Sequence, residues 1–364
     1  MQQEYNSAFL TRRRFLAVLA ALLFFAAIDG VCSLVLVGRR FSDPRSWDSH
    51  VEYDPLLGFI AKPGVHIPNA YGPGAAITTN SLRMRGRREY DAVVPPGRTR
   101  LLCLGDSFTF GHGVGDDQAW PAVLGRLDPR LETMNMGENG YGFGEMFLRY
   151  QRDGLTLDHD AVIVSFIWED LVRMKYSVLY GYPKPVLGMV GDRLVLKSEP
   201  LPRRSWRVPL RHRLKILDDL QLVSLLRSAL TGPATAPDLA AKPVPLDQSY
   251  WETVFEIMAR MVRTCHLRGR EVFFVYLPSL HGLRTDDLVE TRNYLAERCN
   301  SAGIRFVDLT PAFAALPRTQ QDNLYLPEEG VPLTTIHYSP EGHAFVAAEV
   351  KRQIVEDLMD AGGG

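Results

Sequence analysis

From Arg100 onward the chain repeats one pattern, a short apolar run followed by a longer helical stretch, and this alternation restricts the fold most. The runs at 100–104, 131–136, 161–167, 271–277 and 304–308 are apolar without a polar alternation, as strands covered on both faces should be. Helical stretches near 118–127, 143–153, 250–268 and 285–300, and a last one near 341–358, lie between or after them. Parallel strands need crossovers of that length, so the pattern predicts an α/β domain built on a five-stranded parallel sheet. Ligands bind such sheets beyond the carboxyl ends of the strands. The last helix has a defined start, with Ser339 as N-cap, Pro340 at the first helical position and Glu341 in the first turn.

Two segments far apart in the chain carry chemistry. Leu101-Leu-Cys-Leu-Gly-Asp-Ser107-Phe-Thr-Phe-Gly111 ends a buried strand abruptly and places a hydroxyl where the chain leaves the sheet. His337-Tyr-Ser-Pro-Glu-Gly-His343 offers an imidazole just ahead of the last helix. A serine needs a base to become a nucleophile, and a histidine across the fold is its usual partner. Gly-Asp-Ser alone also makes ordinary turns. In this order and these contexts the two segments resemble the GDSL/SGNH hydrolase family.

The resemblance covers roughly residues 98–358, interrupted by one long insertion. It implies a flavodoxin-like three-layer sandwich, with Ser107 as nucleophile and His337 as base. It also implies an oxyanion hole formed by the backbone amides of Ser107 and Gly140, the latter from Asn135-Met-Gly-Glu-Asn-Gly140-Tyr-Gly. Two positions depart from the family pattern. Where the third block has Asn-Asp, this chain reads Glu169-Asp170, and where the last block has Asp-x-x-His it reads Thr334-Thr-Ile-His337.

Each departure has a chemical meaning. A lost oxyanion donor costs roughly 10²–10³ in rate, and an ionised Glu169 would also repel the developing charge. A Glu169 kept protonated by burial would instead donate. The missing aspartate normally orients the histidine and stabilises its imidazolium, an effect worth roughly 10⁴ in the serine-protease template. Glu169 is thus a candidate altered oxyanion position or orienting acid, and Asp170, Asp322, Glu328 and Glu329 are candidates to replace the acid through space.

The N-terminus reads as a membrane signal. Residues 1–14 form a short tail with Arg12, Arg13 and Arg14, expected on the cytoplasmic side. Phe15 to Val37 is apolar apart from Asp29, Gly30 and Ser33. At about 1.5 Å per residue it can cross a hydrocarbon core of roughly 30 Å. No clean small-x-small cleavage site follows, so an uncleaved signal anchor is favoured. Thr11-Arg-Arg-Arg-Phe-Leu16 also resembles a twin-arginine export signal, although a plain basic leader is the simpler reading. Arg39, Arg40 and Arg45 after the span nearly balance the charges before it. Because so short a tail usually stays inside, the body is expected in a periplasm or outside the cell.

Residues 38–98 are rich in proline and glycine and read as an arm wrapped around the domain of residues 99–364. Within the arm, Asn80-Ser-Leu-Arg-Met-Arg-Gly86 brings arginines that either reach the site or stay solvated. The insertion, 171–249, breaks the β/α rhythm after the third block, which puts it at the mouth of the site. Between Arg203 and Lys215 it interleaves cations with Trp206, Leu210 and Leu214, a pattern that suits an anionic membrane surface, an acidic polymer or a plain solvated face. The stretch 231–245 reads as a flexible connector. Cys265 and Cys299 end two helical stretches and could pair in an oxidising compartment, with isolated buried thiols the plainer alternative.

The formal charge of −1 excludes a globally basic nucleic-acid binder. Nothing in the sequence calls for a cofactor, and a metal site built from His112, His337 and His343 lacks metal-ligand spacing. No protein partner is legible. The favoured function is an extracytoplasmic serine esterase or O-acyltransferase acting on an ester-bearing carbohydrate or lipid of the cell envelope. The alternative is a binding or assembly protein that kept the pocket and lost the chemistry.

Overall fold

The computed structural model describes residues 14–31, 47–179, 182–202, 247–327 and 336–361. The basic stretch from Arg203, the connector 231–245, Cys32, Glu328, Glu329, Thr334 and residues 32–37 of the expected span lie outside the described residues. The chain divides into two units, one holding the N-terminal helix and the other beginning at His50. That helix, Arg14–Val31, is long and apolar enough to cross a membrane, a test that an N-terminal export signal also passes.

The second unit is built on parallel strands β1 (Thr99–Gly105), β2 (Leu131–Gly137), β3 (Ala161–Phe166), β4 (Glu271–Tyr276) and β5 (Phe306–Asp308), ordered β5-β4-β3-β1-β2. This is the expected α/β sandwich. Alternate residues of each strand feed opposite faces. Leu102, Leu104, Met134, Val162, Val164 and Phe274 face one layer with Met146, Tyr150, Ile257 and Met258. Leu101, Cys103, Ile163, Phe273 and Val275 face the other with Trp120, Leu124, Val346 and Val350. Each such leucine or valine, fully buried, contributes about 1.5–3 kcal/mol, which is why the strands tolerate no polar alternation.

Seven helices matter for the site. They are α1 (Ser107–Phe110), α2 (Trp120–Leu127), α3 (Phe143–Arg152), α4 (Trp168–Arg173), α5 (Gln248–His266), α6 (Val289–Ser301) and α7 (Pro340–Val350). Ser339 caps α7 as the sequence predicts, its hydroxyl accepting from the Gly342 N–H at 3.1 Å. The helix then continues through a π-turn, Lys351–Val355, into Glu356–Ala361. Cys265 and Cys299 are free and buried against different neighbours, the Tyr150 hydroxyl and the Met258 sulfur.

Residues from His50 to Arg98 belong to the same compact unit as the sheet. They begin with an antiparallel hairpin, Val51–Asp54 with Gly58–Ala61. The edge of β2 receives them: Arg85 N–H donates to the Asn135 carbonyl at 3.0 Å and the Tyr90 hydroxyl to the Thr133 carbonyl at 2.8 Å. Those bonds occupy polar backbone on an edge that would otherwise be open to pairing. The insertion adds a second hairpin, Val186–Val190 with Arg193–Ser198, whose Leu187 and Leu194 join the larger core.

Candidate active site

Ser107 opens α1 directly after β1. Gly105 permits the sharp exit, because a Cβ there would fall 2.0 Å from Thr109 Oγ1. Asp106 caps the turn by accepting from the Phe108 N–H at 2.9 Å. At the first position of α1, the Ser107 N–H has no intrahelical acceptor by geometry. Across the fold, the loop before α7 delivers His337, whose Nε2 lies 2.8 Å from Ser107 Oγ. The serine hydroxyl has one proton and two acceptors in reach, His337 and, at 3.3 Å, Asp106 Oδ2. The shorter contact is the one a proton transfer needs.

His337 meets the nucleophile as a neutral imidazole. Burial, then the neighbouring His112, Arg173 and His343, holds its pKa well below the usual 6.5. Arg173 is the cation among these neighbours, and among the described residues no carboxylate pairs with His337. Phe108 packs on its ring at 5.0 Å between centroids and His112 at 4.5 Å. His343 sits elsewhere, inside α7, with its Nδ1 accepting from the Trp120 N–H at 3.2 Å.

Gly140 lies in the turn after β2 with φ of +74°, a left-handed conformation that glycine adopts without a Cβ penalty. That turn is clamped on several sides. Lys184 Nζ, fully buried, donates to the Gly140 carbonyl at 3.0 Å and pairs with Glu145. Ala61 N–H donates to Glu138 Oε2 at 2.8 Å, and the Tyr141 hydroxyl to the Phe59 carbonyl at 2.9 Å. The arm and the insertion therefore fix this turn from outside the sheet.

Glu169 and Asp170 open α4 at the carboxyl end of β3 and are both buried. Asp170 is committed to structure. It accepts from the Ile167 N–H at 3.0 Å and from Arg173 at 2.5 Å, while Arg173 also reaches Asp106 at 3.1 Å. Asp322 is exposed and paired with Arg284. The structure brings neither aspartate to His337. Glu169 Oε2 is buried with no hydrogen-bond partner among the described residues. Burial pushes its carboxyl up to about 7, its own N–H and Arg173 working the other way. A carboxyl raised this far is able to hold its proton near neutral pH, and Oε2 is then able to donate.

The fold also recruits residues that the motifs do not mark. Arg173 falls three positions after Asp170, a helical ion-pair spacing visible in the sequence. Arg85 of the arm stacks over Phe110 at 4.4 Å and bonds Asp116 at 2.6 Å, so one arm arginine does reach the nucleophile turn. Lys184 and Tyr71 have no sequence signal, since tertiary packing alone brings them here.

No protein-family model and no curated protein matches the chain. Among solved structures it is similar to a lipolytic protein of the G-D-S-L family from Veillonella parvula, at 13% identity over 71% of this chain and 98% of that one, with a TM-score of 0.40. It is similar to the acetyl xylan esterase AlAXEase at 14% identity, over 70% and 99% of the two chains, with a TM-score of 0.38. A third is an acetylxylan esterase from Geobacillus stearothermophilus, at 13% identity over 70% and 93%, with a TM-score of 0.39. These proteins carry the name or activity of the family that the sequence motifs resemble. Likenesses this distant carry no argument about chemistry, which rests on the atoms of the site itself.

Proposed function

We propose that the chain is a serine ester hydrolase or O-acyltransferase of the GDSL/SGNH type, with Ser107 as nucleophile and His337 as general base. The observation that carries this reading is the 2.8 Å contact between His337 Nε2 and Ser107 Oγ at the carboxyl edge of the sheet. Ser107 Oγ attacks the ester carbonyl while its proton passes to His337. The oxyanion forms toward the amides of Ser107 and Gly140, with protonated Glu169 as a third donor. Collapse breaks the ester C–O bond, and His337 returns the proton to the leaving alcohol. Water or an acceptor hydroxyl then repeats the sequence on the acyl-enzyme. A cell-envelope glycan or lipid ester fits this chemistry, with the N-terminal helix as a single-pass anchor and the body outside the cytoplasm.

The test is labelling of the full-length protein by a fluorophosphonate probe. The expected result is one labelled site, lost in Ser107→Ala and slowed in His337→Ala. An unlabelled wild-type chain overturns the reading. It would favour a binding or assembly role, for which a buried Glu169 carboxyl with an oxygen unpartnered among the described residues is the supporting observation.

A further inference from the structure

His112 follows Gly111, the left-handed residue that ends α1. Its ring lies 4.5 Å from that of His337, inclined by 38°. A hydrogen bond of 3.1 Å ties its Nδ1 to the hydroxyl of Tyr71, and the two rings lie 4.9 Å apart. Tyr71 is itself held in an arm turn, its N–H donating to the Ala75 carbonyl at 3.1 Å. The same part of the arm, through Ile67, Ala70 and Ile77, packs on Phe110 of α1. Asn139, next to Gly140, faces both the Tyr71 hydroxyl and the His112 ring through its side chain. A continuous line of contact therefore runs from the arm through Tyr71 and His112 to the base.

In a serine-histidine pair with a carboxylate, the acid sets the imidazole's orientation and stabilises its charged form. Here, among the described residues, the groups that shift His337 are His112, Arg173 and His343, none of them an acid, while the Asp106 carboxylate faces Ser107. We propose that His112, locked by Tyr71, is a positioning residue that orients the His337 imidazole toward Ser107 by ring packing, in the place where a carboxylate would otherwise act. This rests on the esterase reading above and adds to it the device that orients the base. Burial supports it by keeping His112 neutral, its pKa pushed down to about 4, so that it packs without adding a cation beside the forming imidazolium.

The experiment compares His112→Ala, His112→Phe and Tyr71→Phe in the full chain. It uses kcat and KM on an aryl acetate, the pH profile, and nitrogen-15 NMR titration of the His337 ring, which needs no turnover. In the wild type the acidic limb lies below pH 6.5, because the base stays neutral there. His112→Ala is expected to lower kcat on the order of 10²-fold, the cost of a small misplacement, with KM nearly unchanged. It should also raise the His337 titration toward the ordinary value by admitting water. His112→Phe, which keeps a ring, should recover most of kcat, and Tyr71→Phe should fall between. The inference is overturned if His112→Ala leaves both kcat and the His337 titration unchanged, or if the Phe variant is as impaired as the Ala variant. A wild type that takes no fluorophosphonate, with His337 still titrating differently in His112→Ala, sinks the esterase reading alone and leaves the ring coupling standing.

Discussion

Ser107 and His337 are held in this site by different physics. Ser107 is fixed by its own backbone: a glycine that permits the exit from β1, a cap from Asp106, and a left-handed Gly111 that ends the turn. His337 is fixed by what other segments press against it, Phe108 and His112 on its ring and the nucleophile itself on Nε2. A group held by local backbone geometry tolerates change elsewhere. One held by packing inherits the stability of every element behind it, here as far as the arm.

Substitutions on both sides of the site press on that difference. Ser107→Ala should have the largest effect, abolishing probe labelling and lowering esterase turnover by on the order of 10⁴-fold or more. Equal loss in His337→Ala, measured on the same ester, would make the two halves one catalytic unit despite their different supports.

Lys184→Met comes next. It leaves Glu145 buried without its partner, and breaking a buried pair costs about 3–5 kcal/mol. Chemical denaturation should detect the loss, and Lys184→Met with Glu145→Gln should recover much of it. Because Lys184 also bonds the Gly140 carbonyl, kcat of the double variant should stay below wild type even when stability returns.

Glu169 gives an effect with a sign that depends on pH. Its folded pKa, about 7, lies above the usual 4.5, so the folded state holds its proton longer than the unfolded chain does. The contribution of Glu169 to stability is therefore greatest at low pH and is lost as pH rises from about 4.5 through about 7. Glu169→Gln should match the wild type at pH 5 and exceed it at pH 8 by up to on the order of 2–3 kcal/mol, read from melting curves. If the protonated carboxyl is the third oxyanion donor, wild-type kcat should fall as pH rises through about 7. The glutamine variant, always able to donate, should lose that alkaline limb. Glu169→Asn, with a shorter amide, should likewise keep a donor above pH 7, the gain there reaching on the order of 10²-fold.

Asp322→Asn should do least. An exposed pair with Arg284 is worth about 0–1 kcal/mol, and kcat should not change. A large drop in kcat would mean that this carboxylate reaches the base during turnover, restoring an acid to the base's side of the site.

The local geometry around Ser107 and the helix after His337 is legible in the sequence. Gly105-Asp-Ser107 marks a strand exit because each residue is demanded by the backbone beside it, and Ser339-Pro340-Glu341 marks a helix start for the same reason. The five strands are implied by the apolar runs, while their order in the sheet is decided only by the fold. Asp170 misleads in isolation, since the i,i+3 spacing to Arg173 is visible in the sequence but only the fold shows that this pair, and not His337, takes the carboxylate. His112 was legible only as an unlikely metal ligand, and its ring contact with His337 follows from bringing together segments more than 200 residues apart.

The sequence by itself determined the α/β layering, the turn that presents Ser107 and the helix that follows His337. These depend on periodicity and caps, which act over a few residues. Tertiary structure alone decided that Asp322 turns to Arg284, that Lys184 closes the Gly140 turn, and that burial raises the Glu169 carboxyl. Such outcomes depend on which distant groups share one low-dielectric space, and no local pattern encodes that.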